Sequence, residues 1–320
     1  MPPKIPPATN NTSSPTTASL RWDILRRAFL SRPPPGGSSE ISVNCISRRT
    51  RRGFNLIPWH LDVSTTEESK PKDTDGLTDV HVTYKLPVGG TSTLVLVQRA
   101  ENHVDLKDFD VSHRYNIDST GLVCQWPSED VLAYFCLTHA EIFRSKKILE
   151  LGSGYGLAGL AIAASTDASE IVISDGNPQV VDYIQRNILG NAGAFGHTKV
   201  QGMALHWNEE VASDLRNTFD IIIASDCTFF KEFHNGLAFI VKALLKPSES
   251  SEALFFSPKR GNSLDRFLQK VEEIGLKFSI QEKYENKVWE LHTSFLNGSD
   301  SSWPNYDKDH CYPLLIRITL

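Results

Sequence analysis

Four glycines, Gly152, Gly154, Gly156 and Gly159, fall within the stretch ILELGSGYGLAG that runs from Ile148 to Gly159. They follow an apolar run that carries one acid, Glu150. A loop between a strand and a helix presents free N–H groups and the positive end of a helix dipole. Glycines let such a loop turn tightly and let a ligand touch backbone. Gly154, Gly156 and Gly159 spell G-x-G-x-x-G, with Asp175 standing 21 residues after Gly154, as a dinucleotide site requires. By spacing alone the loop fits a nicotinamide cofactor or S-adenosylmethionine, and Gly159 equally fits close packing of a helix on a sheet. Glu150 favours the second ligand. A carboxylate repels a pyrophosphate but helps orient a cationic amino-acid ligand, directly or through water. Its bland reading is a partner for a nearby loop or helix N–H. Asp175 has two readings as well, an acceptor for both ribose hydroxyls or the N-cap of the next helix.

These residues need strands and helices to hold them. KKILEL (146–151), EIVISD (170–175), TKVQGMAL (198–205), FDIIIASD (219–226), ALFFSP (253–258) and CYPLLIRITL (311–320) read as strands. Helices fall at 128–143, with Ser128 as N-cap, from 157, at 177–190 with Asn177 as cap and Pro178 at the first position, and near 231–245 and 262–275. Strands alternating with helices argue a parallel, doubly wound sheet. The last strand has no helix after it, so it must enter by a hairpin-like return, paired near 276–293. Asp226 sits where the fourth of these strands delivers its carboxyl end, the usual place for substrate in an open α/β sheet. Its bland reading is a cap on the following helix.

The region before residue 117 differs. Residues 1–20 are Ser/Thr/Pro-rich and read as a disordered tail, with an organelle-transit leader as the alternative. RWDILRRAFL (21–30) has helical spacing, and DVHVTYKL (79–86) and TSTLVLVQRA (91–100) flank PVGG as a hairpin. The pattern from about 54 to 116 is one of strands. Residues 1–53 carry a charge of +7, which leaves −12 for the remainder of a chain of net charge −5. A basic arm on an acidic body fits contact with an acidic partner, a membrane surface or nucleic acid, or simply a solvated leader. The acidic body itself is no nucleic-acid binder. Five scattered cysteines without a C-x-x-C pair give neither a disulfide framework nor a zinc site, and fit reduced thiols in the cytosol or nucleus.

ELGSGYG followed by ISDGN resembles the first motifs of the class I, seven-stranded S-adenosylmethionine methyltransferases. TGLVCQWPSEDVLAYF (120–135) and ASDCTFF (224–230) narrow the resemblance to the lysine methyltransferase group called family 16, over roughly residues 118–260. The resemblance implies a Rossmann-like α/β domain at 118–320, following a basic helical arm and β-hairpin region at 21–117. It implies S-adenosylmethionine as cofactor, no metal, and methyl transfer to a lysine of an acidic protein, calmodulin foremost. By it, Trp126 would lie over the methionine end, Gly152, Ser153 and Gly154 would line the loop, Trp207 would pack on the adenine, and Ser225 would offer backbone contact. Without it, Trp126 and Trp207 read as core. The group has an acid followed three residues on by an aromatic, commonly Tyr. Here the pair is Asp226 and Phe229, so the hydroxyl is missing and Phe229 becomes an apolar wall. Lys259 and Arg260 read as a loop near substrate, free to meet an acidic partner or solvated. Two other classes remain: a methyltransferase acting on another residue or a small molecule, and a nicotinamide oxidoreductase or non-catalytic nucleotide-binding module. Neither an N-P-P-Y motif nor a Tyr-x-x-x-Lys arrangement supports them.

Overall fold

Near-continuous apolar runs such as KILEL, IIIAS and EALFFS build strands buried on both faces, the signature of a covered parallel sheet. A computed structural model describes residues 53–62, 79–87, 92–100, 106–123 and 126–320, all within the unit Cys45–Leu320. The expected tail (1–20), the helix at 21–30, the RRTRR run (48–52) and most of the PVGG turn lie outside the described residues.

The main sheet comprises β4 (Lys147–Leu151), β5 (Glu170–Asp175), β6 (Lys199–Ala204), β7 (Ile221–Ser225), β8 (Glu252–Ser257), β9 (Lys277–Gln281) and β10 (Leu314–Thr319). Its seven strands run in the order β6-β5-β4-β7-β8-β10-β9. Strands β4 to β8 pair in parallel, and β10 enters antiparallel between β8 and β9, as the hairpin-like return requires. The chain proceeds outward from β4 through β5 and β6, then returns to β7 on the other side. The carboxyl end of β4 is therefore the switch point at which such folds bind ligands.

A second, antiparallel sheet has the order β1 (Trp59–Leu61), β2 (Asp79–Lys85) and β3 (Thr93–Arg99). Two helices, α1 (Leu106–Tyr115) and α2 (Thr120–Val123), follow it. The first of them corrects the reading of strands throughout 54–116. Helix α3 (Pro127–Thr138) starts with Pro127 at its first turn and Glu129 and Asp130 against the positive helix end. Trp126, not Ser128, holds its N-cap position, and no side chain caps it. Next come α4 (Leu157–Ser165), α5 (Pro178–Asn191), α6 (His234–Leu244), α7 (Ser263–Glu273), α8 (Asn286–Leu296) and a short turn, α9 (Lys308–Cys311). The Asn177 side chain accepts the Gln179 N–H at 2.9 Å and so caps α5 as its position foretold.

The N-terminal sheet is held to the main body by polar groups as well as by core. On α5, Asn187 and Asn191 exchange hydrogen bonds with the backbone of Val97 and Val95, at distances from 2.7 to 3.3 Å. Each amide thus imitates a further strand along β3. The Asp130 carboxylate accepts the N–H groups of Leu56 and Ile57 at 2.8 and 3.3 Å, which ties the segment before β1 onto α3. Among the described residues, no helix is long and apolar enough to cross a membrane.

Candidate functional site

The carboxyl ends of β4, β5 and β7 open into a cavity of about 320 Å³. Its wall includes Trp126, Gly152, Ser153, Gly154, Asp175, Trp207, Ser225, Asp226 and Phe229. Nine of the residues singled out in the sequence thus converge on one space from five separate segments. Glu150 and Gly156 are not on that wall.

The loop after β4 explains much of the glycine pattern. Gly152 has φ +60°, and a Cβ there would stand 2.8 Å from Cys227 Sγ and 3.0 Å from the Trp207 ring. Gly159 lies inside α4, where a Cβ would meet Ile173 and Glu150 at 2.6 Å. The third glycine of the fingerprint therefore serves close helix–sheet packing, and its spacing carries no information about a pyrophosphate. Glu150 Oε2 accepts the Gly159 N–H at 2.9 Å, the helix N–H contact that was its bland reading. Burial, together with repulsion from Glu129 and Asp175, raises the Glu150 carboxyl to about 8, against the opposing pull of that N–H. At neutral pH it is a protonated group inside the protein, not an anion facing the cavity.

Asp175 is on the wall and also braces the loop. Its Oδ2 accepts the Gly154 N–H at 3.2 Å and its Oδ1 the Asn177 N–H at 2.9 Å. Burial nonetheless raises it to about 6. Among the described residues the wall carries Asp118, Glu129, Asp175, Glu209 and Asp226 and neither lysine nor arginine, and one of these acids, Asp226, is paired with an arginine, Arg260, from outside the wall. Such a lining suits a ligand with positive charge and repels a pyrophosphate. Three buried polar atoms on the wall, Ser153 Oγ, Asn177 Nδ2 and Trp207 Nε1, have no hydrogen-bond partner among the described residues. Unpaired groups of this kind are costly unless a ligand or water satisfies them. The cavity chemistry therefore fits S-adenosylmethionine, with its cationic sulfonium and ammonium and its polar nucleoside.

On the same wall Trp126 and Phe229 stand 6.2 Å apart, and the Phe230 ring lies 4.8 Å from Phe229. Asp226 lines the cavity with them in a left-handed backbone conformation, φ +58°. It does not face the cavity as a lone acid. Arg260 grips both its oxygens, with Nη2 to Oδ2 at 3.0 Å, and Ser128 Oγ donates to Oδ2 at 2.9 Å. The Arg260 guanidinium also lies 4.6 Å from the Trp126 ring and 5.2 Å from the Phe229 ring. The pair is interior, its side chains 7% and 3% exposed. Burial raises the Asp226 carboxyl, opposed by the charge and hydrogen bonds of Arg260 and by Ser128. Arg260 thus backs the wall through Asp226 and the two rings without lining the cavity itself, and the reading of a solvated loop is corrected for it. Ser128 gives up the helix cap for the same carboxylate.

Several wall residues escaped the sequence reading, Glu129 and His206 among them. Glu129, in the first turn of α3, lines the cavity together with Trp126 at the N-cap of the same helix. His206 directly precedes Trp207, and its ring stacks 6.1 Å from Tyr115 at the cavity edge. No local motif marks it.

The comparisons with known proteins agree with this chemistry. Residues 112–274, about half of the chain, match the family described as lysine methyltransferase. The calmodulin-lysine N-methyltransferase of Arabidopsis thaliana is 55% identical over 96% of this chain and 98% of its own length. The mouse protein-lysine N-methyltransferase EEF2KMT is 31% identical over 65% of this chain and 61% of its own. With the match spanning the cavity-bearing sheet and a relative aligned almost end to end, the chain belongs to the lysine methyltransferases that use S-adenosylmethionine.

Proposed function

We propose that the lysine this enzyme methylates belongs to calmodulin, and that Asp226 orients the accepting amine between Trp126 and Phe229. The near full-length similarity to a calmodulin-lysine N-methyltransferase is the observation that carries the substrate. The juxtaposition of a buried carboxylate with two aromatic rings on the cavity wall carries the assignment of the amine site.

S-adenosylmethionine supplies an electrophilic methyl group on a sulfonium. In this reading Gly152, Ser153 and Gly154 hold its amino-acid end beneath Trp126. Asp175 takes the ribose hydroxyls, Trp207 packs on the adenine, and Ser225 offers backbone contact. Transfer then needs positioning and dehydration more than acid–base power. A lysine enters with a pKa near 10.4, and the apolar wall depresses it by desolvation. The ring faces also tolerate a methylated ammonium, which permits repeated transfer.

The transferase domain corresponds to 118–320, and the basic 21–53 segment offsets repulsion between an acidic substrate and the acidic body. Reduced thiols, three of them free and buried in the described residues, accord with a cytoplasmic or nuclear enzyme. Radiolabelled methyl transfer to unmodified calmodulin tests this, with Asp226→Ala and a deletion of residues 21–53 alongside. The expected result is label on one calmodulin lysine, at least a hundredfold loss of kcat in Asp226→Ala, and a raised KM at low salt for the deletion. Label on other proteins but none on calmodulin would keep the reaction and discard the partner.

A further inference from the structure

An arginine fixed on the carboxylate that meets a substrate amine changes the charge that amine encounters. Arg260 is not a chance visitor to Asp226. Its backbone N–H donates to Asp309 O at 2.7 Å, its Nη2 reaches His310 O at 3.4 Å, and its φ of +44° aims the side chain inward from the loop after β8. The guanidinium is bidentate on Asp226 and lies against both rings of the aromatic wall.

We propose that Arg260 is a positioning residue that cancels the charge of Asp226, so that the carboxylate accepts a hydrogen bond from the substrate amine without stabilising its ammonium form. This rests on the reading of Asp226 given above. A carboxylate offers about four acceptor sites. Arg260 and Ser128 take three of them, which leaves one, on Oδ1, for a single amine N–H. A lone buried carboxylate would hold the lysine as an ammonium, which has no lone pair with which to attack. Paired with Arg260 it is electrically neutral, and desolvation then drives the amine towards its neutral, nucleophilic form. The methyl–sulfur bond breaks as the nitrogen–methyl bond forms, and the amine proton leaves to water beforehand.

Other titratable groups surround the pair: Glu129 on α3, Asp175 and Cys227 at neighbouring strand ends, and Asp307, His310 and Cys311 in the C-terminal turn. None of them grips Asp226. A competing arrangement has Arg260 merely filling the lysine's place until substrate displaces it. The arriving ammonium would compensate Asp226, but the displaced guanidinium would lose its carboxylate, which the tethering of Arg260 opposes.

The test is the pH dependence of kcat on calmodulin, at saturating S-adenosylmethionine, for wild type, Arg260→Gln and Arg260→Lys. Expected is a rise of kcat with pH displaced upward by at least one unit in Arg260→Gln. That is about a tenfold deficit at pH 7.5 that closes near pH 10, with the wild-type profile retained by Arg260→Lys. With ¹³C-lysine calmodulin and S-adenosylhomocysteine, the bound lysine should titrate higher against Arg260→Gln than against wild type. A deficit of equal size at every pH, or a fall in KM with an unmoved profile, would overturn the proposal. If Arg260→Gln fails to fold, a displaced profile in Arg260→Lys overturns it and an unmoved one upholds it. Should wild type not methylate calmodulin, the substrate assignment fails separately. The ¹³C carboxyl signal of Asp226 then decides without substrate: a higher titration in Arg260→Gln supports the proposal, and an unchanged one refutes it.

Discussion

Asp175 braces the loop and, in the proposed function, also takes the ribose hydroxyls. Two backbone N–H groups hold its carboxylate, yet burial lifts it to about 6, so it ionises just below neutral pH. An acceptor for two ribose hydroxyls works in the ionised form. Affinity for S-adenosylhomocysteine should therefore be level above pH 7 and weaken by about tenfold per unit below pH 6. Calorimetric titration from pH 5 to 8 reads this, and Asp175→Asn should bind at least tenfold more weakly with no such slope. Its place on the cavity wall was legible in the sequence because it stands at the carboxyl end of a strand beside the glycine loop. Glu150 was harder. Its type and place in the strand fit a ligand contact, but whether its oxygen turned to the cavity or to the Gly159 N–H depended on how closely α4 approaches β5.

Among the elements, the central strands and α4 and α5 followed from periodicity and caps almost residue for residue. Helices α1 and α8 did not. NKVWELHTSFL was absorbed into the expected partner of the last strand, whereas only Lys277–Gln281 pairs with β10 and the chain then turns to a helix. Tertiary packing overrides weak local preference in such segments. The attachment of the N-terminal sheet was equally hidden, because Asn187 and Asn191 look like surface positions of a helix until β3 lies beside them. Asn187→Ala together with Asn191→Ala should leave backbone groups of Val95 and Val97 unpaired, each change costing about 1–3 kcal/mol. Hydrogen exchange at those amides should accelerate ahead of exchange in β4 and β7. Unchanged protection would mean that the apolar contacts alone hold the sheet in place.

For the molecule as a whole, buried carboxyls make stability depend on pH. Glu150, raised from 4.5 to about 8, and Asp130, raised from 3.8 to about 6, both bind protons more readily folded than unfolded. Their advantage is complete below about pH 4 and is lost as pH rises through the folded values. His234 and His292, lowered by burial, act in the opposite direction below about 6.5. The interval from pH 6.5 to 8.5 spans the folded value of Glu150, and comparison with Glu150→Gln separates its share from those of the histidines, the other buried carboxyls and the buried thiols. Over it, the ligand-free protein should lose about 2 kcal/mol of stability that Glu150→Gln, which keeps an acceptor for Gly159, does not lose. Urea unfolding at the two pH values measures the difference, and parallel losses in both proteins would show that Glu150 is already ionised at neutral pH.

What the sequence determined alone is local in origin: the strand-and-helix alternation, the glycine loop, the cap at Asn177 with Pro178 at the first helical position, and the motifs that mark a methyltransferase. Those features depend on neighbours a few residues apart, or on the chemistry of single side chains. The tertiary structure decided which groups share a charge environment. Asp226 is joined to Arg260 across 34 residues and to Ser128 across 98, and Glu129 faces the same cavity as Asp175. Electrostatic partnership acts through space, over a few ångströms in a low-dielectric interior. No spacing along the chain encodes it until the sheet has brought the strand ends together.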